Sequence, residues 1–340
     1  MSRKRNLQRD TSGEVVFSFG EPEPVRSERL LDYLGVFMET GGEYYLPPIS
    51  FANLAKMRRA NCQHGSCILL RRNLAANAYT GGAFSVRDFR AAVTDFLSVG
   101  NAFGEVVRNG LGNITRLVHV PAINMRVRTH GKGYRRLLPG GQYIDFAPEE
   151  ILHIREYDEI QQVYGIPDWL GGLQSALLNE DATLFRRRYY VNGAHLGYIL
   201  YTNDPKMSPA VKTALEEKFR QGKGVGNFKS SYIHIPGGAE KAIQIISIGD
   251  ISQKDEFANI KSLSASDVLT AHRVPPVLMG IVPSQGSGGL GDPEKIERVY
   301  IRTEVRAVCQ NFLDVNDQLP PRLRLKFNFK VEAPVRPGAE

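Results

Sequence analysis

One uninterrupted helical stretch constrains the fold of this chain more than any other feature. Ile166-Pro167-Asp168 opens it and Asn192-Gly193 closes it. Proline is tolerated in the first turn of a helix, and glycine suits the left-handed position that ends one. At 1.5 Å per residue, the helix predicted over about 25 residues would be roughly 37 Å long.

A second long helix is predicted at 252–273. Ser252 and Asp255 are spaced like a capping box, with Asp in place of Glu, and Pro275-Pro276 ends the helix. The residues between the two long helices show shorter periodic patterns. They predict a small strand and helix unit, with strands at 196–201, 232–235 and 243–248 and a helix from Ser208-Pro209 to Gln221.

The first half of the chain has a mixed pattern. Ser50 and Ser85 are candidate helix caps, and a further helix is predicted at 68–78. Segments 102–108 and 114–120 flank a glycine-bearing turn and predict a hairpin. More strands are predicted downstream, at 123–128, 134–138, 143–146 and 151–155. We expect an α+β fold in which helices precede sequentially paired strands.

The last part begins with a loop rich in glycine and serine at 283–292. Asp292-Pro293-Glu294 then starts a helix that is predicted to run to residue 316. In 323–331, apolar residues alternate with cationic or polar ones. This period of two predicts a strand with one buried face and one cationic face.

Composition narrows the class of protein. The net charge is +7, and Arg3, Lys4, Arg5 and Arg9 contribute to it in a tail expected to be disordered. A basic chain is compatible with a polyanionic partner but does not establish one. Three cysteines are too few for a disulfide framework, and neither a signal peptide nor a membrane span is visible. We expect a cytoplasmic site of synthesis and no membrane partner.

Motifs for catalysis or cofactor binding are weak. Gly286 to Gly291 matches G-x-G-x-x-G, but a proline-rich segment precedes it where dinucleotide binding needs a strand. Cys62, His64 and Cys67 could be zinc ligands, yet a structural site needs four. The acids Asp145, Glu149, Glu150 and Glu156 are typical of turns and strand edges. We therefore predict no enzyme, no catalytic residues, no metal and no cofactor.

Arg186, Arg187 and Arg188 stand late in the first long helix. Three successive helix positions cover about 300° of the helix surface, so these side chains cannot all enter one groove. Two interpretations remain open, namely ion pairs that hold neighbouring helices together and contact with DNA.

Several segments, in this order, resemble tailed-bacteriophage portal proteins, specifically the smaller PBSX type. The clearest is YGIPDWLGGLQSALLNEDATLFRRRYYVNGAHLGYILYT, from Tyr164 to Thr202. The others are FSFGEPEPV, YYLPPISFANLAK, FLSVGNAFGEVVRNGLGNITRLVHVPAINMRV, FAPEEILHIRE and FANIKSLSASDVLTAHRVPPVLMG. The resemblance covers nearly the whole chain, which is short after its last helix compared with the family.

The resemblance implies a portal fold that assembles into a ring. Its parts would be an N-terminal arm and α/β wing at 1–165, stem helices at 166–192 and 250–274, a small α/β clip between them at 193–249, a tunnel loop at 275–293, and a C-terminal helix with a return strand to the wing at 294–340. Within the loop, the uncharged residues expected nearest to DNA are Ser284, Gln285, Gly286, Ser287, Gly288 and Gly289. The clip residues expected to face terminase are Lys206, Lys212, Lys218, Arg220 and Lys223.

The implied function is the portal, or connector, at a capsid vertex of a tailed phage. There the ring would form the channel for packaging and ejection of double-stranded DNA. Implied partners are further copies of the chain in a dodecamer, nonspecific duplex DNA, the terminase large subunit, major capsid and scaffold proteins, and head-completion or tail proteins. The protein would reside in the virion after assembly in the host cytoplasm. The alternatives are a cytoplasmic nucleotide-dependent enzyme that uses a glycine-rich loop and a nonspecific DNA-binding protein.

Overall fold

The computed structural model describes residues 37–38, 42–159, 162–191, 198–202, 243–247, 253–281 and 292–329. The basic N-terminal tail, most of 193–249 and the loop residues 283–291 lie outside the described residues. Predictions made for those segments therefore stay predictions.

The described chain begins with a short strand pair followed by a group of three helices. Strand β1 (Phe37–Met38) pairs antiparallel with β2 (Tyr45–Leu46). Helices α1 (Phe51–Ala60), α2 (Cys62–Ala78) and α3 (Val86–Val99) follow. The predicted caps are confirmed, because the hydroxyl oxygens of Ser50 and Ser85 accept from backbone N–H groups in the first turns of α1 and α3.

Helix α2 starts six residues before the predicted start at 68. Asn61 caps it by accepting from the His64 N–H at 2.9 Å. The apolar run begins only at Cys67, since Gln63, His64 and Ser66 are polar. A prediction from apolar periodicity therefore misses the first residues of the helix.

Seven strands complete this part of the chain: β3 (Tyr79–Gly81), β4 (Asn101–Arg108), β5 (Ile114–Val120), β6 (Met125–Val127), β7 (Tyr134–Leu137), β8 (Tyr143–Phe146) and β9 (Ile151–Arg155). The predicted β4–β5 hairpin is confirmed. The expectation that all strands pair in sequence is wrong for β9, which returns to the free edge of β4. Strand β8 is mostly exposed, whereas β4 is buried on both faces and takes a partner on each edge.

Six of these strands form two antiparallel sheets, with strand orders β5-β4-β9 and β6-β7-β8. Neighbouring residues of a strand point to opposite faces. Ala102 of β4 accordingly belongs to a core formed with α2, α3 and the C-terminal helices. Phe103 belongs to a second core, formed with α1 and the strand β6. Strand β4 thus separates the two cores.

The two long helices are α4 (Leu173–Val191) and α5 (Gln253–Ala271). They pack antiparallel, since Ser175 contacts Asp267 whereas Thr183 contacts Lys261. Each has 19 residues and is about 28 Å long. The predicted start of the first helix at 166 is wrong. A 3-10 turn, Leu170–Gly172, precedes α4, and its two consecutive glycines disfavour α-helix.

Beyond the long helices, the structure describes a short strand pair and the C-terminal elements. Strands β10 (Tyr198–Thr202) and β11 (Ile243–Ser247) pair antiparallel. Helix α6 (Pro293–Tyr300) is capped by Asp292, and a π-helical turn, Ile301–Val305, joins it to α7 (Arg306–Leu313). No helix in the described part is long and apolar enough to cross a bilayer.

The strand predicted at 323–331 is much shorter in the structure. Within 323–329, only β12 (Lys326–Phe327) is a strand, and it pairs with β3. The partner strand has three residues, and the register shifts between Lys326 and Phe327, so the ladder is short. The alternation of burial is nevertheless present, since Leu325 is buried while Arg324 and Lys326 are exposed.

Candidate functional site: the junction at the base of the helix pair

A buried asparagine holds the turn through which the chain enters α4. The side-chain amide of Asn101 donates to the Gly165 carbonyl oxygen at 2.8 Å, and its oxygen accepts from the Gly165 N–H at 2.9 Å. A Cβ atom on Gly165 would lie 2.3 Å from the Gly100 carbonyl oxygen. Only glycine therefore allows the Gly-Asn-Ala and Tyr-Gly-x-Pro segments to approach each other this closely.

Two buried aromatic residues fix the position of Asp168 from either side. The Tyr164 hydroxyl donates to the Tyr45 carbonyl oxygen at 2.7 Å and accepts from the Val127 N–H at 2.9 Å. The Trp169 indole N–H donates to the Leu97 carbonyl oxygen at 2.8 Å. Both side chains are almost completely buried. The carboxylate between them is consequently held at a defined place before α4 begins.

Asp168 is the centre of an ion network that joins four elements. Arg71 of α2 donates to both carboxylate oxygens, at 3.0 and 2.7 Å. Arg273, just after α5, donates to the same carboxylate and also to Glu304 of the π turn, in the latter case at 2.6 Å. Burial by itself raises the pKa of Asp168, but the bonds and charge of Arg71, together with Arg273, bring it below its usual value. Asp168 is therefore ionised at neutral pH.

Arg273 has a left-handed backbone, with φ of +56°. Its N–H donates to Thr270 and the N–H of Val274 donates to Leu269, the pattern of a Schellman motif, in which glycine normally takes the left-handed position. A side chain there costs roughly 1 kcal/mol. The ion pairs with Asp168 and Glu304 offset this strain, so the arginine links the end of α5 to the start of α4.

Two histidines form the buried side of this junction. His64 Nδ1 and His272 Nε2 are 2.8 Å apart, and both rings contact the Trp169 indole. Burial, aided by the charge of Arg58, lowers the pKa of His64 to about 4. Burial, aided by the charges of His64 and Arg71, lowers that of His272 to about 3. Both imidazoles are neutral at pH 7, and one donates its N–H to the other.

A polar seam continues from the junction between the long helices. The Asn61 side-chain N–H groups donate to the Ala176 carbonyl oxygen and to Asn179 Oδ1, at 3.0 and 3.1 Å. Asn179 donates in turn to the Lys261 carbonyl oxygen and to Ser264 Oγ, at 2.9 and 3.0 Å. These buried groups satisfy one another, which fixes the register of α4 against α5.

The chemistry of the junction favours a structural role. Two guanidinium groups occupy the Asp168 carboxylate, and the histidines resist protonation. In the described residues, no group of three His, Cys, Asp or Glu side chains could hold a metal ion. Burial raises the pKa of the Cys67 and Cys309 thiols to about 12, so neither offers the thiolate that zinc requires. A cleft of about 350 Å³ beside Arg273 is lined by Pro275, Ile296 and Val299.

Comparison with known proteins decides the family. The sequence model described as "Phage portal protein" matches residues 82–336. A relative named "Probable portal protein", from Haemophilus phage HP1, is 41% identical over 343 residues, which cover 95% of this chain and 98% of the relative. This chain belongs to the phage portal protein family.

Solved structures agree with the family fold. The chain is similar to one in the neck of a native GTA particle computed with C12 symmetry, with a TM-score of 0.60 and 18% identity over 86% of this chain and 87% of that one. It is also similar to an HK97 family phage portal protein from Corynebacterium diphtheriae, with a TM-score of 0.55 and 15% identity over 77% of this chain and 92% of that one. The expected α+β portal fold is thereby confirmed. The finer PBSX-type assignment stays a prediction.

The structure of the portal protein describes only some of the residues that were predicted to be functional. Arg186 and Arg187 are exposed on α4, and no ion pair joins them to another residue that the structure describes, while the side chain of Arg188 lies outside it. Outside it as well are the predicted loop residues (Ser284, Gln285, Gly286, Ser287, Gly288, Gly289) and the predicted terminase-facing residues (Lys206, Lys212, Lys218, Arg220, Lys223).

Sequence reasoning missed the junction. His64 was considered only as a partner of Cys62 and Cys67, yet its ring contacts a histidine 208 positions away. A signal was present in Arg71, a charged residue within the apolar pattern of α2. Such a residue needs a buried counter-ion, but the sequence does not say which acid supplies it.

Proposed function

We propose that this portal protein is a subunit of a closed ring at one vertex of a tailed-phage head. The ring forms the channel through which double-stranded DNA is packaged and ejected. Its role is structural rather than enzymatic, and it needs no cofactor. The protein is made in the host cytoplasm and resides in the virion.

The observation that carries the proposal is the surface of the helix pair. Its inner seam is satisfied, but four leucines of α4 and α5 remain exposed: Leu177, Leu178, Leu184 and Leu263. Leu263 is the most accessible of them, at 67% exposure. Leu177 and Leu184 are seven positions apart on one face of α4, whereas Leu178 lies about 100° around the helix. Apolar residues on two flanks fit a neighbour on each side, as a head-to-tail ring requires.

The sequence divisions define the parts of this ring. The helix pair is the stem, 193–249 is the clip, and 275–293 is the tunnel loop. We take the ring to contain twelve subunits, as the family resemblance implies. The uncharged loop then faces DNA without binding it tightly, because each phosphate neutralised would add to the affinity and to its salt dependence.

The remaining partners follow from the same assignment. The clip docks the terminase large subunit during packaging, through Lys206, Lys212, Lys218, Arg220 and Lys223, and head-completion or tail proteins afterwards. Residues 1–165 form the N-terminal arm and the wing, to which the strand after the C-terminal helix returns, and the wing contacts major capsid and scaffold proteins.

Replacement of one exposed leucine tests the ring directly. In Leu263→Glu, a carboxylate would be buried between stems, so we expect sedimentation velocity to show loss of the ring and accumulation of a folded subunit. The matched control is Leu111→Glu at the tip of the β4–β5 hairpin, where the side chain is 86% exposed. The control should assemble like the wild type. Intact rings in Leu263→Glu would contradict the assignment of this face.

A further inference from the structure

The group of three helices has a large excess of positive over negative charge. Residues 51–99 contain seven lysines and arginines but only two acids, so they supply +5 of the net charge of +7. Of the cations, Arg71 is neutralised by Asp168. Of the acids, Asp95 is paired with His119 and Asp88 is bonded to the hydroxyl of Ser85. The other six cations form no ion pair with any residue in the described ranges.

Three of these cations, one from each helix, lie close together. Arg58 of α1 lies over Gly65 of α2, where a Cβ would be 2.2 Å from the Arg58 carbonyl oxygen and 3.8 Å from its Cγ atom. Arg72 is seven residues beyond Gly65, two turns along the same face of α2. The three helices pack against one another. Partial burial and the charges of Arg90 of α3 and then Arg58 lower the pKa of Arg72, in agreement with this packing.

The surroundings of these arginines favour phosphate as the ligand. The Arg72 guanidinium donates at 2.6 and 3.1 Å to the Asn73 amide oxygen, which leaves its charge uncompensated. Guanidinium groups bind phosphate oxygens in a bidentate manner. The three helices expose two large apolar side chains, Leu69 of α2 and Val86 at the start of α3. A protein partner would need a more apolar centre to its interface.

We propose that Arg58, Arg72 and Arg90 form a docking surface for the phosphates of duplex DNA, separate from the channel. The proposal rests on the proposed function in one respect, namely that the portal protein encounters duplex DNA. The DNA that it contacts is not the segment that is threading through the ring.

The test measures binding of the full-length protein to duplex DNA at 50 to 200 mM salt. We compare wild type with a variant that combines Arg58→Gln, Arg72→Gln and Arg90→Gln. The control combines Arg116→Gln, Lys132→Gln and Arg324→Gln, which removes the same charge from exposed positions elsewhere. Three lost phosphate contacts should reduce the slope of log K against log salt by about 2.7, so wild-type binding should weaken about 40-fold more over this range.

Two DNA forms distinguish the surface from the channel. A covalently closed circle cannot thread a closed ring, so the loss of binding should be as large on circular as on linear duplex. An effect on linear DNA alone, or an equal effect of the control variant, would overturn the proposal. The proposal would also be overturned if the triple arginine variant assembled differently from the wild type but bound DNA equally well. That result would assign the arginines to a contact between copies of the chain. If the triple variant does not fold, Arg90→Gln alone should reduce the slope by about 0.9.

Failure of this proposal is distinguishable from failure of the proposed function. If rings form normally but bind DNA equally well with and without the three arginines, only the docking surface is refuted. If the wild-type chain forms no rings, the proposed portal assembly is refuted, whatever its affinity for DNA.

Discussion

The guanidinium of Arg273, at the end of the second long helix, donates to the carboxylate of Asp168, at the entrance to the first. The two residues are 105 positions apart, yet their contact joins the two long helices at one end of the pair. Arg273 also reaches Glu304 of the π turn. The predicted tunnel loop lies between Arg273 and Glu304 in the chain, so the ion network holds the residues on both sides of the loop.

Loss of the Asp168 charge should destabilise the subunit strongly. In Asp168→Asn, the nearly buried Arg71 guanidinium would keep its charge without a counter-ion. Breaking a buried pair in this way costs about 3–5 kcal/mol of unfolding free energy. Trp169 is the only tryptophan of the chain, so its fluorescence during urea unfolding reports on this site. Asp317→Asn, at an exposed position, is the control, and equal losses in the two variants would refute the role of the network.

The left-handed backbone of Arg273 predicts an order of stabilities. Arg273→Gly removes the ion pairs but relieves the backbone strain, whereas Arg273→Ala removes the pairs and keeps the strain. We expect wild type to be the most stable, followed by the glycine variant, with alanine about 1 kcal/mol below glycine. Urea midpoints measured at one protein concentration would reveal this order. Alanine and glycine variants of equal stability would argue against a strained position.

Close approach of the long helices depends on Gly172. A Cβ there would lie 2.4 Å from the Ala271 Cβ, so Gly172→Ala should cost about 1–3 kcal/mol through overpacking. The second substitution Ala271→Gly should restore part of this loss when combined with the first. Gly171→Ala is the matched control, because no atom lies within 4 Å of a Cβ at that position. Additive effects of the Gly172 and Ala271 changes would contradict direct contact.

The buried histidine pair predicts loss of stability in mild acid. The folded-state pKa of His64, about 4, lies below the unfolded value of 6.5, so the unfolded chain binds more protons between these values. The stabilisation is complete above pH 6.5 and declines as the pH falls towards 4. In His64→Gln, the stability difference between pH 7 and pH 4.5 should shrink by roughly 2 kcal/mol.

Chemical denaturation at a series of pH values measures this effect. His130→Asn, at an exposed histidine, should retain the wild-type pH dependence. His153 is half-buried, and its desolvation with the charge of Arg155 lowers its pKa to about 3, so a residual dependence is expected in every variant. A His64→Gln profile parallel to that of the wild type would show that the pair does not titrate as described.

A charge in the proposed tunnel loop should slow DNA movement. Ser287→Lys would add one phosphate contact in each subunit, and such contacts weaken as salt increases. We therefore expect packaging to be slower than in the wild type at low salt and closer to it at high salt. Ser287→Thr, which adds no charge, is the control. Equal packaging rates of the lysine variant at both salt concentrations would contradict a DNA-facing loop.

Local features of this fold were predictable, and contacts between distant segments were not. Ser50 and Ser85 cap helices because their spacing to the first turn is encoded within a few residues. The β4–β5 hairpin follows from a glycine-bearing turn. The return of β9 to β4 depends instead on burial of β4 from both sides, which its own sequence does not reveal.

The candidate site shows the same limit more clearly. Asp168 was recognised only as part of a helix start, and His272 and Arg273 only as the end of another helix. Their meeting with His64 and Arg71 requires the packing of α2 against the long helices. Periodicity identifies each of these elements but gives no information on which side chains they bring together.

Electron microscopy of the purified wild-type protein is the decisive test of ring assembly. We expect closed rings with an open central hole, built from twelve copies of the 37.9 kDa chain. A stable monomer that never assembles, even when capsid proteins are present, would contradict it.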